Sequence, residues 1–337
     1  MISRIFYRWE HRLASADNNR VVRSFEWGLD WLELLGSGES DEAYAALSAW
    51  ADSAVANSEA FYALEPCGDY ELRGAHLTFP SAVSTPHPEN NTVHARWFPD
   101  DTARGRTRAV VVLPQWNSDA EGHIGLCQLL NRFGISALRL SLPYHDARMP
   151  AELQRADYIV SPNIGRTAQV CRQAVLDARR AAWWLRDRGY ESIGILGTSL
   201  GSCLAMLTAA HEPLIRTAAL NHISPYFADV VWEGLSTRHV RAGLDGAIDL
   251  ERLRRLWMPI SPFPYLHRMH GKRVLLVYAR YDLSFPVALS KGLVEEFRRR
   301  GLAPEVAVLP CGHYTTGKTP FKWMDGLTLC RFLNRTL

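Results

Sequence analysis

The sequence predicts an α/β protein. A mostly parallel central sheet with helices on both faces carries an N-terminal helical extension and a helical lid insertion. Three observations predict this. From about residue 108 onward, short apolar runs alternate with helical stretches, the pattern of parallel strands buried on both faces. Residues 1–66 show helical spacing and no strand pattern. Residues 224–270 break the alternation and are too long for a simple connector. The expected division is therefore 1–66 as the extension and 67–337 as the main domain, with the lid inside it.

The elements follow in order. In the extension, Ile5, Phe6, Trp9 and Leu13 fall on one helical face, and Arg4, Arg8 and Arg12 lie on others. A second helical run is expected over about 20–35, with Trp27, Trp31, Leu32 and Leu35, before the break GSGES and the run DEAYAALSAWADSAVANSEAFY. The first helix could be a basic amphipathic membrane-surface helix. Its single short basic face and the acids that follow favour packing on the main domain. YELRGAHLTF and TVHARWF are expected to be two antiparallel strands split by a Pro-rich loop. Strands are then expected at RAVVVLP (108–114), ISALRL (135–140), SIGILG (192–197), RTAALNHI (216–223), KRVLLVYA (272–279) and PEVAVLP (304–310). Helices are expected near 120–133, 164–189, 200–211, 286–300 and 318–335. The insertion is expected to form two helical pieces.

The 337 residues carry a formal net charge of +3, with basic and acidic residues intermixed. That balance gives no nucleic-acid footprint. The six cysteines are widely spaced, without a CxxC pair, so no zinc site or redox dithiol is expected. Reduced, buried cysteines, an opening MISRIFYRWEHR without a signal-peptide apolar run, and no run long enough to span a bilayer lead to a cytoplasmic expectation. No spacing suggests a metal ligand set, and the chemistry read below needs no cofactor. The sequence leaves the oligomeric state open.

One short stretch carries chemistry. Gly197-Thr198-Ser199-Leu200-Gly201 fits G-x-S-x-G. Such a match arises by chance in a chain this long on the order of one time in ten. Its setting sharpens it: SIGIL precedes and SCLAMLTAA follows, the strand and helix that hold a serine out on a strained turn. A serine hydroxyl needs a base, and the base an orienting carboxylate. VLLVYARYDLSFP puts Asp282 just past one later strand, and VAVLPCGHYTTG puts His313 just past the next. Loops beyond the carboxyl ends of parallel strands gather at one edge. Ser199, Asp282 and His313 are therefore expected to converge as nucleophile, acid and base.

In that order of nucleophile, acid and histidine, residues 70–335 resemble the α/β-hydrolase superfamily. The loop SLPYHDARMP after the strand 135–140 resembles a Pro- and His-containing loop common there. More weakly, this loop, GYESIGILGTSLGS and the histidine loop are similar to the α/β-hydrolase domain-containing 18 branch. Dienelactone-hydrolase-like esterases are the other comparison. The resemblance implies an oxyanion hole, with one donor from the Leu200 N–H and the other from the loop after 108–114, at Gln115 or Trp116. His123, His145, His222, Trp232 and Trp257 are expected to line the pocket or to serve packing. Cys203 and Cys311 are read as packing residues.

These residues imply a serine hydrolase that cleaves a small-molecule carboxylic ester through an acyl-enzyme. The same three residues would also serve a thioesterase, a lipase-like acyl hydrolase, a peptidase, a lactonase or an acyltransferase. A non-catalytic binding protein on this fold is the alternative of a different class.

Overall fold

The computed structural model describes residues 2–36, 39–100 and 107–337. Helix α1 (Ile2–Ala14) opens the chain and buries only Glu10 and Ala14. Helices α2 (Ser40–Ala56) and α3 (Ser58–Phe61) follow. Two residues of the expected GSGES break, 37 and 38, lie outside the described residues.

The helical run expected over 20–35 is not formed. Residues 17–28 lack regular structure beyond one bridge from Glu26 to Asn163, and a single 3-10 turn spans Leu29–Leu32. The backbone instead pairs with the segment at 162–164: Glu26 N–H donates to Pro162 O at 3.1 Å, and Ile164 N–H to Glu26 O at 3.0 Å. Trp27, Trp31 and Leu32 pack against the core from this ribbon. Docking thus satisfies the backbone groups that a helix would have satisfied internally.

YELRGAHLTF forms two strands, not one. Gly74, at φ +59°, turns the chain between β1 (Glu71–Arg73) and β2 (His76–Pro80). β3 (Thr92–Phe98) follows. Then come β4 (Arg108–Leu113), α4 (Ile124–Arg132), β5 (Ser136–Leu140), α5 (Ile164–Asp187), β6 (Ser192–Thr198), α6 (Leu200–His211) and β7 (Ile215–Asn221). The insertion holds three short helices, α7 (Phe227–Glu233), α8 (Arg238–Leu244) and α9 (Leu250–Leu256), plus 3-10 turns, where two helical pieces were expected. The chain closes with β8 (Arg273–Ala279), α10 (Val287–Arg299), β9 (Glu305–Leu309), α11 (His313–Thr316) and α12 (Phe321–Thr336).

Among the described residues, nine strands form one sheet in the order β1-β2-β3-β5-β4-β6-β7-β8-β9. The strands from β5 to β9 in that order run parallel, and β1, β2 and β3 add an antiparallel edge. Side chains alternate between faces along each strand. Val111 and Leu113 of β4 therefore join the core under α5 and α6, while Val110 and Val112 join the core under α4 and α12. Full burial of each such side chain is worth about 1.5–3 kcal/mol. β4 is apolar on both faces because both are covered. Parallel alignment puts the carboxyl ends of β4, β6, β7, β8 and β9 along one edge, where the loops of interest leave the sheet.

No described helix is long and apolar enough to cross a membrane.

Candidate active site

Ser199 sits between β6 and α6 with φ +57° and ψ −120°. A side chain rarely adopts this conformation, and the turn holds it only because its neighbours leave room. A Cβ on Gly197 would lie 2.1 Å from Gly201 O, and one on Gly201 would lie 2.2 Å from Leu113 O. Both glycines are thus required by close backbone approach, one within the turn and one against the end of β4. Ser199 N–H donates to Asn221 O at 2.8 Å, which ties the turn to β7. Ser202 Oγ lies 2.6 Å from Ser199 O and 2.7 Å from His222 O, bracing the same corner.

Asp282 follows β8, and His313 opens α11 after β9. His313 Nδ1 donates to Asp282 Oδ2 at 3.1 Å. The other carboxylate oxygen accepts the backbone N–H groups of Ser284 at 2.8 Å and Phe285 at 2.7 Å. Asp282 is therefore held by its own loop while one oxygen faces the imidazole. Burial opposes its charge, yet the adjacent His313 and His222 rings hold its carboxyl well below the usual range. Burial likewise opposes a charged His313. The Asp282 carboxylate outweighs it, with a further contribution from Glu10, and the ring's pKa lies above its ordinary value.

His222 was expected only near the pocket. At φ +60°, just past β7, it donates from Nδ1 to the same Asp282 oxygen at 2.8 Å. The two imidazole rings meet edge to face, 4.7 Å apart. Asp282 thus serves two histidines, an arrangement that strand-end position alone does not disclose. The ligand atoms of His222, Asp282 and His313 lie within 4.8 Å of one another, making this a cluster that could hold a metal ion. In the present arrangement both Nδ1 protons point at the shared oxygen.

Ser199 and Leu200 open onto a cavity of about 40 Å³, also walled by Trp116, Phe227, Val230 and Phe285. Phe285 stacks on His313 at 5.4 Å, so the His313 imidazole lies behind this wall of the cavity. Among the described residues, the Ser199 hydroxyl makes no hydrogen bond. The insertion supplies Phe227, Val230, Val231, Ser236 and Thr237 to the wall.

The residues expected at an oxyanion hole separate. Leu200 is the first residue of α6, so its N–H has no partner within the helix. Trp116 faces the same cavity, and its indole donates to Ala156 O at 2.8 Å. Gln115 lines a different cavity, of about 380 Å³, together with Thr198 and His222. The loop bearing both is pinned by His145, whose Nδ1 donates to Pro143 O and whose Nε2 accepts the Asn117 N–H at 2.9 Å. Burial pushes the His145 imidazole down to about 4, keeping it neutral and able to accept. His145 therefore holds the loop and does not line the cavity at Ser199.

His123 lines the larger cavity and contacts Thr198 Oγ1 at 3.0 Å from Nε2; burial lowers its pKa to about 4. Trp257 is fully buried, donates to Ile164 O and packs edge-on against Phe227. Trp232 lines a separate cavity with Asp245 and Arg252 and lies under the Arg241 guanidinium. Cys203 faces the cavity, but burial lifts its thiol to about 12, which disfavours the thiolate. Cys311 is buried, and its thiol is likewise raised to about 12 by burial.

A parallel sheet with a serine on a tight turn after a central strand, and later strand ends supplying Asp282 and His313, has the α/β-hydrolase fold. Solved structures agree on that fold. The chain superposes on Pyrococcus horikoshii acylaminoacyl peptidase with a TM-score of 0.61 at 15% identity, covering 80% of this chain and 42% of that one. It superposes on an acetyl xylan esterase from Thermoanaerobacterium with a TM-score of 0.60 at 14% identity, covering 85% and 93% of the two chains. An acetyl xylan esterase from Paenibacillus gives 0.61 at 14% identity, covering 86% and 94%. The chain thus spans under half the length of the peptidase and nearly the whole of either esterase. No protein-family model and no curated protein sequence matches it.

Proposed function

We propose that this protein is a serine hydrolase acting on small carboxylic esters with short acyl groups. The observation that carries the proposal is the strained Ser199 turn opening onto a cavity whose Phe285 wall stacks on the Asp282-bound His313. Ser199 Oγ attacks the ester carbonyl, and His313 Nε2 takes its proton. Asp282 keeps Nδ1 protonated and stabilises the imidazolium. The Leu200 N–H and the backbone N–H of Trp116, which faces the same cavity, hold the oxyanion. His313 returns the proton to the departing alkoxide, leaving an acyl-Ser199. Water, deprotonated by His313, then releases the acid and frees the serine. A serine–histidine hydrogen bond that is open in the free enzyme tightens when substrate binds.

The acyl group is read from the cavity. Its volume is about 40 Å³, and its walls are largely apolar. Residues 224–270 act as the lid in this reading, because α7 and the turn after it form the outer wall. The acetyl xylan esterases give a precedent for short-acyl ester chemistry on this fold.

A fluorophosphonate probe tests the nucleophile. The wild-type chain is expected to label on the peptide containing Ser199, and Ser199→Ala to lose both labelling and turnover of p-nitrophenyl acetate. Labelling that persists in Ser199→Ala would overturn the assignment.

A further inference from the structure

Helix α1 reaches both loops that carry the proposed acid and base. Phe6 stacks on Tyr281, the residue before Asp282, with centroids 4.6 Å apart. One turn on, the fully buried Glu10 accepts two backbone hydrogen bonds from the residues after His313. Tyr314 N–H donates to Oε2 and Thr315 N–H to Oε1, each at 2.9 Å. A carboxylate is rarely buried unless its oxygens are satisfied, so Glu10 is held in register with these two amides. The fit leaves no slack, since a Cβ on Gly312 would lie 2.4 Å from Glu10 Cδ. Arg20, just beyond α1, donates to the Tyr314 hydroxyl at 2.7 Å.

α11 has only four residues, beginning at His313. One turn of helix does not hold itself, because nucleation is unfavourable. Its orientation, and with it the direction of the His313 side chain, depends on outside partners. Glu10 supplies two of its free N–H groups with acceptors.

We propose that α1 is a clamp on the acid–base pair and that Glu10 is a positioning residue for His313. The inference rests on the reading of His313 as the general base. The titratable and charged groups near His313 are Asp282 and His222 from the strand ends, Glu10 from α1, and Tyr314 with Arg20 on its hydroxyl. Among these, Glu10 is the anion contributed from outside the main domain.

The experiment compares wild type, Glu10→Gln and Glu10→Asp in pH–rate profiles with p-nitrophenyl acetate, alongside NMR titration of the His313 ring. Glu10→Gln removes the charge and one acceptor. Its kcat is expected to fall about tenfold, with KM little changed, because the base is misdirected. Its acid limb and its His313 titration are expected to move to lower pH, because an anion favouring imidazolium is gone. Glu10→Asp keeps the charge but is one methylene short, so it is expected to lose rate without moving the acid limb. A folded Glu10→Gln protein with unaltered kcat and acid limb would overturn the clamp. If the wild type turns over no ester and takes no probe, the esterase reading fails separately. The ring titration then still decides the clamp, and an unchanged His313 pKa in Glu10→Gln overturns it.

Discussion

Two cavities flank the Ser199 turn, and they differ in size, lining and origin. The one onto which Ser199 opens holds about 40 Å³, with Leu200, Trp116, Phe227, Val230 and Phe285 around it. The one behind Thr198 and His222 holds about 380 Å³ and includes His123, Lys322, Trp323 and Asp325. Burial raises the Asp325 carboxyl to about 6 there. The larger space carries more polar chemistry but does not include the serine. The smaller one is built where Ser199, the proposed nucleophile, emerges, and the insertion supplies part of its wall. In the proposed reaction, access to Ser199, more than volume, marks the substrate side.

The two histidines on Asp282 are expected to differ most under substitution. His313→Gln is expected to lower kcat/KM for p-nitrophenyl acetate by at least about a thousandfold, because it removes the proposed base. His222→Gln is expected to cost far less, on the order of tenfold, by loosening Asp282. Equal losses in the two variants would refute the division of roles. Next in size is the pH response. A protonated His313 cannot accept the serine proton, so kcat/KM is expected to fall as pH drops. Because Asp282 raises the His313 pKa, the midpoint is expected above that of an unperturbed imidazole, about 6.5. A profile flat down to pH 4 would count against His313.

Phe227→Ala tests the small cavity itself. Removing that ring is expected to shift preference from acetate toward longer p-nitrophenyl esters by roughly 10- to 200-fold in relative kcat/KM, the range that a single methylene commands in an apolar pocket. An unchanged chain-length profile would move the acyl site elsewhere. Trp323→Ala on the rim of the larger cavity is expected to change kcat/KM least, within about twofold, since an exposed side chain away from the reacting atoms rarely matters more. A large loss there would give the larger cavity a part in catalysis.

Much of the site was legible because its signals are local. Gly197, Ser199 and Gly201 announce a strand-to-helix corner, and the structure shows what each glycine avoids. Asp282 and His313 follow apolar strands in the right order, and parallel strands bring their ends together. His222 was legible as a strand-end residue, but not as a second partner of Asp282. That depends on its positive φ and on the register between β7 and β8. His145 looked like turn chemistry or pocket lining and instead pins the Asn117 N–H. Glu10 gave no signal, since its partners lie some three hundred positions away. The run 20–35 misled because its aromatic spacing reflects packing against the domain, which helical periodicity imitates over a few residues.

The sequence by itself determined the alternation of strands and helices, the burial of both sheet faces, and the strained serine turn. Each follows from interactions among near neighbours along the chain or from a repeating apolar pattern. Only the tertiary structure decided that Asp282 is shared by two histidines, that the cavity before Ser199 is small, and that α1 grips the segment bearing His313. Those features depend on atoms from distant segments meeting within hydrogen-bonding or van der Waals distance. No local pattern encodes such a meeting until the sheet has set the register.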